Sequence, residues 1–171
     1  VNEIYTKYHD EEWGEPIHDE QKLYEMLILE SFQAGLSWSC ILNKRENFRK
    51  AFDNFDMNKI INYNENKIKA LQNNEGIIRN KLKIKATINN SKIFKEIQKE
   101  YGSFDKYIWS FTNNETIYEL DKVSSELSDS VSRDLKKRGM TFVGTIIIYS
   151  YLQAIGIINS HESQCFKHCK I

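Results

Sequence analysis

Apolar side chains recur every three or four residues along nearly the whole chain, a helical period that points to an all-α fold. Asp19 can cap a first run holding Leu23, Met26, Leu27 and Glu30, which puts a carboxylate in line with an apolar face. Gly35 closes that run, and Ser37 starts a second helix with Ile41, Leu42, Phe48, Ala51 and Phe52 on or near its buried side. Short helices follow from Asp56 through Ile61 and over residues 64–71. A longer helix spans residues 79–101, with Leu82, Ala86, Ile93, Phe94 and Ile97 on its apolar face and Gly102 as its stop. An aromatic run over 104–111 ends at the Asn113-Asn114 turn, and a poorly patterned stretch beyond it reads as surface loop with a short strand or none. The last third is sharper: an amphipathic helix over 124–137, a six-residue turn bracketed by Gly139 and Gly144, and an apolar helix over 145–155 ended by Gly156.

With 171 residues, 40% apolar and 12% aromatic, the chain can bury one real core, and no repeat or linker divides it. One proline and seven glycines exclude collagen-like and linker-like chains. Three cysteines, an odd number, favour a reducing compartment. No apolar run reaches the length of a membrane span and no basic-then-apolar leader opens the chain, so a cytoplasmic protein without membrane contact is expected. Lys+Arg and Asp+Glu balance at 24 each, which at first argues against a phosphate-bearing partner. The balance conceals a gradient: residues 1–30 hold two basic and nine acidic side chains, and residues 31–100 fourteen basic and seven acidic. From charge alone, Lys81, Lys83, Lys85, Lys92, Lys95 and Lys99 read as the solvated face of an ordinary helix.

Three groups of residues could carry chemistry. The turn from Gly139 to Gly144 feeds a helix N-terminus, whose unpaired N–H groups bind phosphate without a charged side chain; as a pattern it is also an ordinary joint between packed helices. Tyr5, Tyr8, Trp13, Glu30 and Trp38 combine rings that could stack on a planar base with a carboxylate that could read an exocyclic amine; taken alone, core aromatics and a helix-ending surface Glu are the plainer reading. His161 and Cys165 lie four apart, a spacing that suits an N/S metal pair, and His9 could close the site from the N-terminus. His168 and Cys169 stand in reserve, Cys40 reads as a small core residue, and His18 as surface. No serine-nucleophile grouping, Gly-rich nucleotide loop or Cys-x-x-Cys pair occurs.

Taken together, the motifs resemble the DNA-3-methyladenine glycosylase I family of base-excision repair enzymes, within the helix-hairpin-helix glycosylase superfamily. The resemblance rests on Tyr8-His9-Asp10-Glu11-Glu12-Trp13-Gly14, Leu29-Glu30, Gln33-Ala34-Gly35-Leu36-Ser37-Trp38, Lys44-Arg45-Glu46-Asn47-Phe48, Gly76-Ile77-Ile78-Arg79, Trp109-Ser110-Phe111 and the segment from Leu135 to Thr145. It covers nearly the whole chain. It implies one glycosylase domain over residues 1–171, with the helix-hairpin-helix at 124–156 and a zinc-stapled satellite formed by residues 1–18 and 157–171.

By this resemblance, the substrate is double-stranded DNA containing alkylated adenine, and the enzyme is a monomeric bacterial-type hydrolase that joins the nucleoid when acting. Glu30 is the catalytic or base-reading carboxylate, with Tyr5, Tyr8, Trp13 and Trp38 around the base. Gly139, Thr141, Gly144 and Thr145 contact the DNA backbone. Leu36 is the candidate wedge for the gap left by a flipped base, a core leucine being the equal alternative. Structural zinc maps onto His9, His161 and Cys165. The family's first cysteine ligand falls upstream of Val1; a site complete apart from that ligand is expected, and a site in which Cys169 or His168 substitutes for it is the alternative. Thr145, Ile146 and Ile147 stand where strand-cleaving relatives carry a lysine, which implies no lyase activity. A non-catalytic helix-hairpin-helix DNA-binding module is the alternative, and it requires a filled pocket.

Overall fold

The computed structural model describes residues 2–168. Ten α-helices are found there: α1 Glu3–Glu11, α2 Glu20–Gln33, α3 Trp38–Asn43, α4 Arg45–Ala51, α5 Met57–Ile60, α6 Glu65–Gln72, α7 Lys81–Tyr101, α8 Phe104–Ser110, α9 Glu126–Lys137 and α10 Thr145–Ala154. Two short strands, β1 Ile117–Tyr118 and β2 Ile158–Asn159, pair in parallel. The all-α expectation therefore holds, and the loop after Asn113-Asn114 contains the short strand. Both asparagines take left-handed backbone angles, φ 53° and 64°, which their short polar side chains tolerate.

Helix α2 is the axis of the domain. It packs against α3, α7, α8 and α10, and its residues from Met26 to Phe32 are all buried, Glu30 included. A helix covered on every side must bury whatever polar group its sequence carries. The caps expected from sequence are made: Asp19 accepts from Lys22 N, Ser37 from Cys40 N, and Asp56 from Asn58 N and Lys59 N. At its N-terminal end α2 also supports α8, because the Glu20 carboxylate accepts from the amides of Phe104 and Asp105.

Several local expectations are corrected. The single helix expected after Ser37 is two, α3 and α4, broken at Lys44, whose amide closes a tighter turn onto Ile41 O. Beside the break, Arg45 forks onto the Glu12 carboxylate at 2.7 and 2.9 Å. Leu82, placed on the apolar face of α7, is 69% exposed: in the same first turn Lys83 and Ile84 are the buried residues, so the inward face of the helix is theirs. Lys83, placed on the solvated face, is buried. Cys40 is half-buried rather than a core residue. Residues 3–11, to which no element was assigned, form α1, capped by Asn2. Gly144 sits at an ordinary φ of −60°, and the left-handed positions in the turn are Gly139 and Phe142, at 101° and 55°.

Candidate active site

Helices α1, α2, α3 and α10 enclose a cavity of about 330 Å³ lined by Tyr5, Tyr8, His9, Trp13, Glu30, Gln33, Trp38, Ser150 and Gln153. All five residues expected around a base therefore meet at one place, with Tyr5 half out of the wall. Tyr8 and Trp38 face each other with ring centroids 5.5 Å apart. Trp13 stacks on His9 and meets the edge of His161, with centroid separations of 5.8 and 4.6 Å.

The polar groups of this cavity are unusual in what they lack. Tyr8 Oη, Glu30 Oε2, Gln33 Oε1 and Trp38 Nε1 are buried and have no hydrogen-bond partner among the described residues. Native proteins rarely leave buried polar atoms unmatched, and four in one cavity mark a surface shaped for a polar ligand. Burial holds the Glu30 carboxyl well above the usual carboxylate range. Burial first, and the neighbouring Glu30 charge second, hold the Tyr8 phenol far above its ordinary value, so it stays a donor. The cavity thus offers donors from Tyr8 and Trp38 and acceptors from Glu30 and Gln33. Gln33, Ser150 and Gln153 were missed as lining residues; Gln33 stands in the quoted motif, but Ser150 and Gln153 arrive on α10 and carry no local signal.

A larger groove of about 810 Å³ lies on the other side of Tyr8. Its arginines are occupied, Arg45 by Glu12 and Arg49 by Glu25, each at 2.7 Å. Charges already paired offer less to a ligand, so the smaller cavity is the candidate site.

Beside the cavity, ligand atoms of His9, His161 and Cys165 lie within 4.8 Å of one another. Asp10 Oδ1 holds His9 Nδ1 at 2.8 Å, and Asn159 Oδ1 holds His161 Nδ1 at 2.9 Å, which turns both Nε2 atoms toward the cluster, where His9 Nε2 meets Cys165 Sγ at 3.9 Å. Such outer partners orient imidazoles for metal. His161 Nε2 is buried without a partner, and burial together with the nearby His9 keeps the ring neutral, the form that ligates. The donor set fits a soft-to-borderline cation such as zinc. Gly14, at φ 77°, allows this packing: a Cβ there would stand 2.5 Å from His161 Cε1. His168 Nδ1 is spent on His161 O at 2.8 Å, and Cys169 lies outside the described residues.

The glycine-marked turn joins α9 to α10 and is clamped from α7. Asn90 donates to Thr141 O at 2.8 Å and accepts from Thr141 N at 3.0 Å, while Asn89 donates to Gly139 O at 2.9 Å. The Thr141 amide is therefore already used. Ser132 donates to Val143 O, and Thr145 Oγ1 donates to Asp129 at 2.6 Å. Among the described residues the amides of Val143, Gly144 and Thr145 find no acceptor, and Gly144 supplies no side-chain cap to α10. Space beside Gly144 is open, with no atom within 4 Å of a built Cβ. An anion can approach these amides closely. Leu36 does not line the cavity; it stands 40% exposed at the tip of the turn after α2.

The sequence profile of the methyladenine glycosylase family matches residues 1–168. The chain belongs to this family. DNA-3-methyladenine glycosylase 1 of Escherichia coli K12 is 42% identical over 169 residues, covering 95% of this chain and 90% of the relative. A crystal structure of 3-methyladenine DNA glycosylase I superposes with a TM-score of 0.94 at 41% identity, covering 98% of this chain and 96% of that one. The Staphylococcus aureus glycosylase I, solved to explain its recognition of 3-methyladenine, gives a TM-score of 0.95 at 31% identity over 99% of this chain and 94% of that one. In this chain the cavity around Glu30 is open, where a non-catalytic module would require packing.

Proposed function

We propose that this chain is a monofunctional DNA glycosylase that excises 3-methyladenine from alkylated DNA in base-excision repair. The carrying observation is the open aromatic cavity with four unmatched polar groups around a buried carboxylate, in a chain whose relatives bear the glycosylase name. Methylation at N3 leaves adenine cationic in the nucleotide, so its glycosidic bond already carries a good leaving group. Selecting the base is then the larger task.

The residues divide that task by their chemistry. The duplex is gripped through the free amides of Val143, Gly144 and Thr145, and Leu36 fills the gap as the damaged nucleotide leaves the stack. Tyr8, Trp13 and Trp38 present ring faces, which attract a cationic base by about 0.5–2 kcal/mol more than a neutral one. Glu30 accepts from the exocyclic amine and complements the ring charge; such charge-assisted hydrogen bonds contribute about 1.5–3 kcal/mol. Water attacks the sugar as the base departs. No lysine follows Gly144, so the abasic strand is left uncut.

His9, His161 and Cys165 would hold zinc in a satellite made of residues 1–18 and 157–171. A metal held there would serve a structural purpose: His9 lies on α1, which also carries Tyr5 and Tyr8, and His161 and Cys165 follow β2. The test of the whole reading is release of free 3-methyladenine from methylated duplex DNA by zinc-loaded protein. No release beside a working control enzyme would refute it, and strand cleavage at the abasic product would refute the monofunctional part.

A further inference from the structure

Lysine 83 is the one cation of the α7 lysine series that is buried, at 8% exposure. Its ammonium donates to Phe32 O at 2.9 Å and Ala34 O at 2.6 Å. These carbonyls belong to the end of α2, where Ala34 leaves the helix at φ −46° and ψ 116°. The last carbonyls of a helix need external partners, and a cation there also opposes the helix dipole. Burying an ammonium is costly compared with an apolar side chain of similar length. The position therefore calls for what the charge does beyond filling space.

The turn so held leads directly to Leu36, whose amide bonds back to Gln33 O at 2.7 Å. Upstream on the same helix stand Gln33 and Glu30, two acceptors of the cavity. One face of α7 also carries Asn90, 1% exposed, which holds both backbone groups of Thr141 in the hairpin. Seven residues of helix, about 10 Å, separate Lys83 from Asn90. The Lys83 ammonium lies 6.0 Å from the ring centroid of Phe142, the hairpin residue in left-handed conformation. A single rigid helix thus touches the strand grip at one point and the wedge-bearing turn at another.

We propose that Lys83 is a positioning residue that sets the Gly35-Leu36-Ser37 turn against the hairpin, so that wedge, pocket and backbone grip act on the same nucleotide. The inference rests on the glycosylase reading. Lys83 touches neither base nor phosphate in this role; it acts through the α2 carbonyls.

The test compares Lys83→Met and Lys83→Arg with the unaltered full chain. Single-turnover release of 3-methyladenine from methylated duplex DNA is measured beside binding of free 3-methyladenine, followed by tryptophan fluorescence. A displaced turn should slow excision from duplex by about 10- to 100-fold, with free-base affinity retained and a partial recovery in the Arg variant. Combined with Leu36→Ala, the Met substitution should cost much less than it does alone, because the group it positions is gone. If Lys83→Met does not fold, Lys83→Gln, which keeps one donor for the carbonyls, carries the same comparison. Excision at the unaltered rate, equal losses of excision and free-base binding, or independent losses with Leu36→Ala would each overturn the proposal. Failure of the unaltered chain to release any base would instead remove the glycosylase reading on which it rests.

Discussion

Replacing Glu30 by Gln should weaken the enzyme while making the protein more stable. Glu30 is 3% exposed and its Oε2 has no partner. An unmatched buried acceptor costs about 1–3 kcal/mol, and more when ionised. The neutral amide removes the ionised part of that cost. For a chain of this size each kcal/mol moves the melting temperature by about 2–4 °C. The sign with pH follows from burial, which holds the carboxyl above its ordinary range. Between the unfolded value near 4.3 and that raised value, the folded state holds a proton that the unfolded chain has released. Stability of the unaltered protein therefore falls as pH rises through this window. The Gln variant lacks this dependence, so its advantage should be near zero at pH 4 and widen toward neutrality. Activity should move the other way. Exchanging a charge-assisted hydrogen bond for a neutral one loses about 1–1.5 kcal/mol. Loss of the Coulomb attraction to a cationic base, about 4 kcal/mol at 4 Å and an effective dielectric of 20, sets the upper bound. Excision should fall by about 5- to 1,000-fold, and the rise of rate with pH that accompanies Glu30 ionisation should disappear. The assays are base release under single-turnover conditions and thermal melts across pH 4–8. Excision within twofold of the unaltered enzyme, or a lower melting temperature at neutral pH, would refute the reasoning.

Asn90→Ala strips the hairpin of two hydrogen bonds and should cost about 1–3 kcal/mol in urea unfolding, with weaker duplex binding; binding left intact would separate the clamp from the grip. Cys165→Ser should lower zinc content by metal analysis and depress the melting temperature, and full zinc occupancy in that variant would remove Cys165 from the site. Because the free groups of the hairpin are amides rather than side-chain cations, affinity for undamaged duplex should fall only modestly with salt. A log–log slope as steep as about −6 would indicate many neutralised phosphates and contradict this picture.

Much of the cavity was legible in the sequence because its residues sit in dense local motifs. Tyr8 and Trp13 fall within one heptapeptide, and Glu30 and Trp38 flank the turn at Gly35. The hidden contributors share a different origin. Ser150 and Gln153 come from α10, more than a hundred residues from Tyr8, and a polar residue on an apolar helix does not announce which wall it joins. Lys83 was indistinguishable from its neighbours because α7 carries lysines on several faces, and only packing against α2 decides which one is enclosed. The Thr141 amide looked free from its place in the turn, and Asn90 had already taken it.

By itself, the sequence determined most of the helical elements, several of their caps, the family and the residue types around the cavity, because spacing and capping act over a few neighbouring residues. The tertiary structure decided which of these groups would be left without partners. Burial of Glu30 follows from α2 being covered on all sides, the meeting of His9 with His161 and Cys165 from the segment after β2 lying against α1, and the setting of the hairpin from the clamp supplied by α7. Those outcomes depend on contacts between segments distant in the chain, where desolvation and unmatched hydrogen bonds, rather than local periodicity, set the energies.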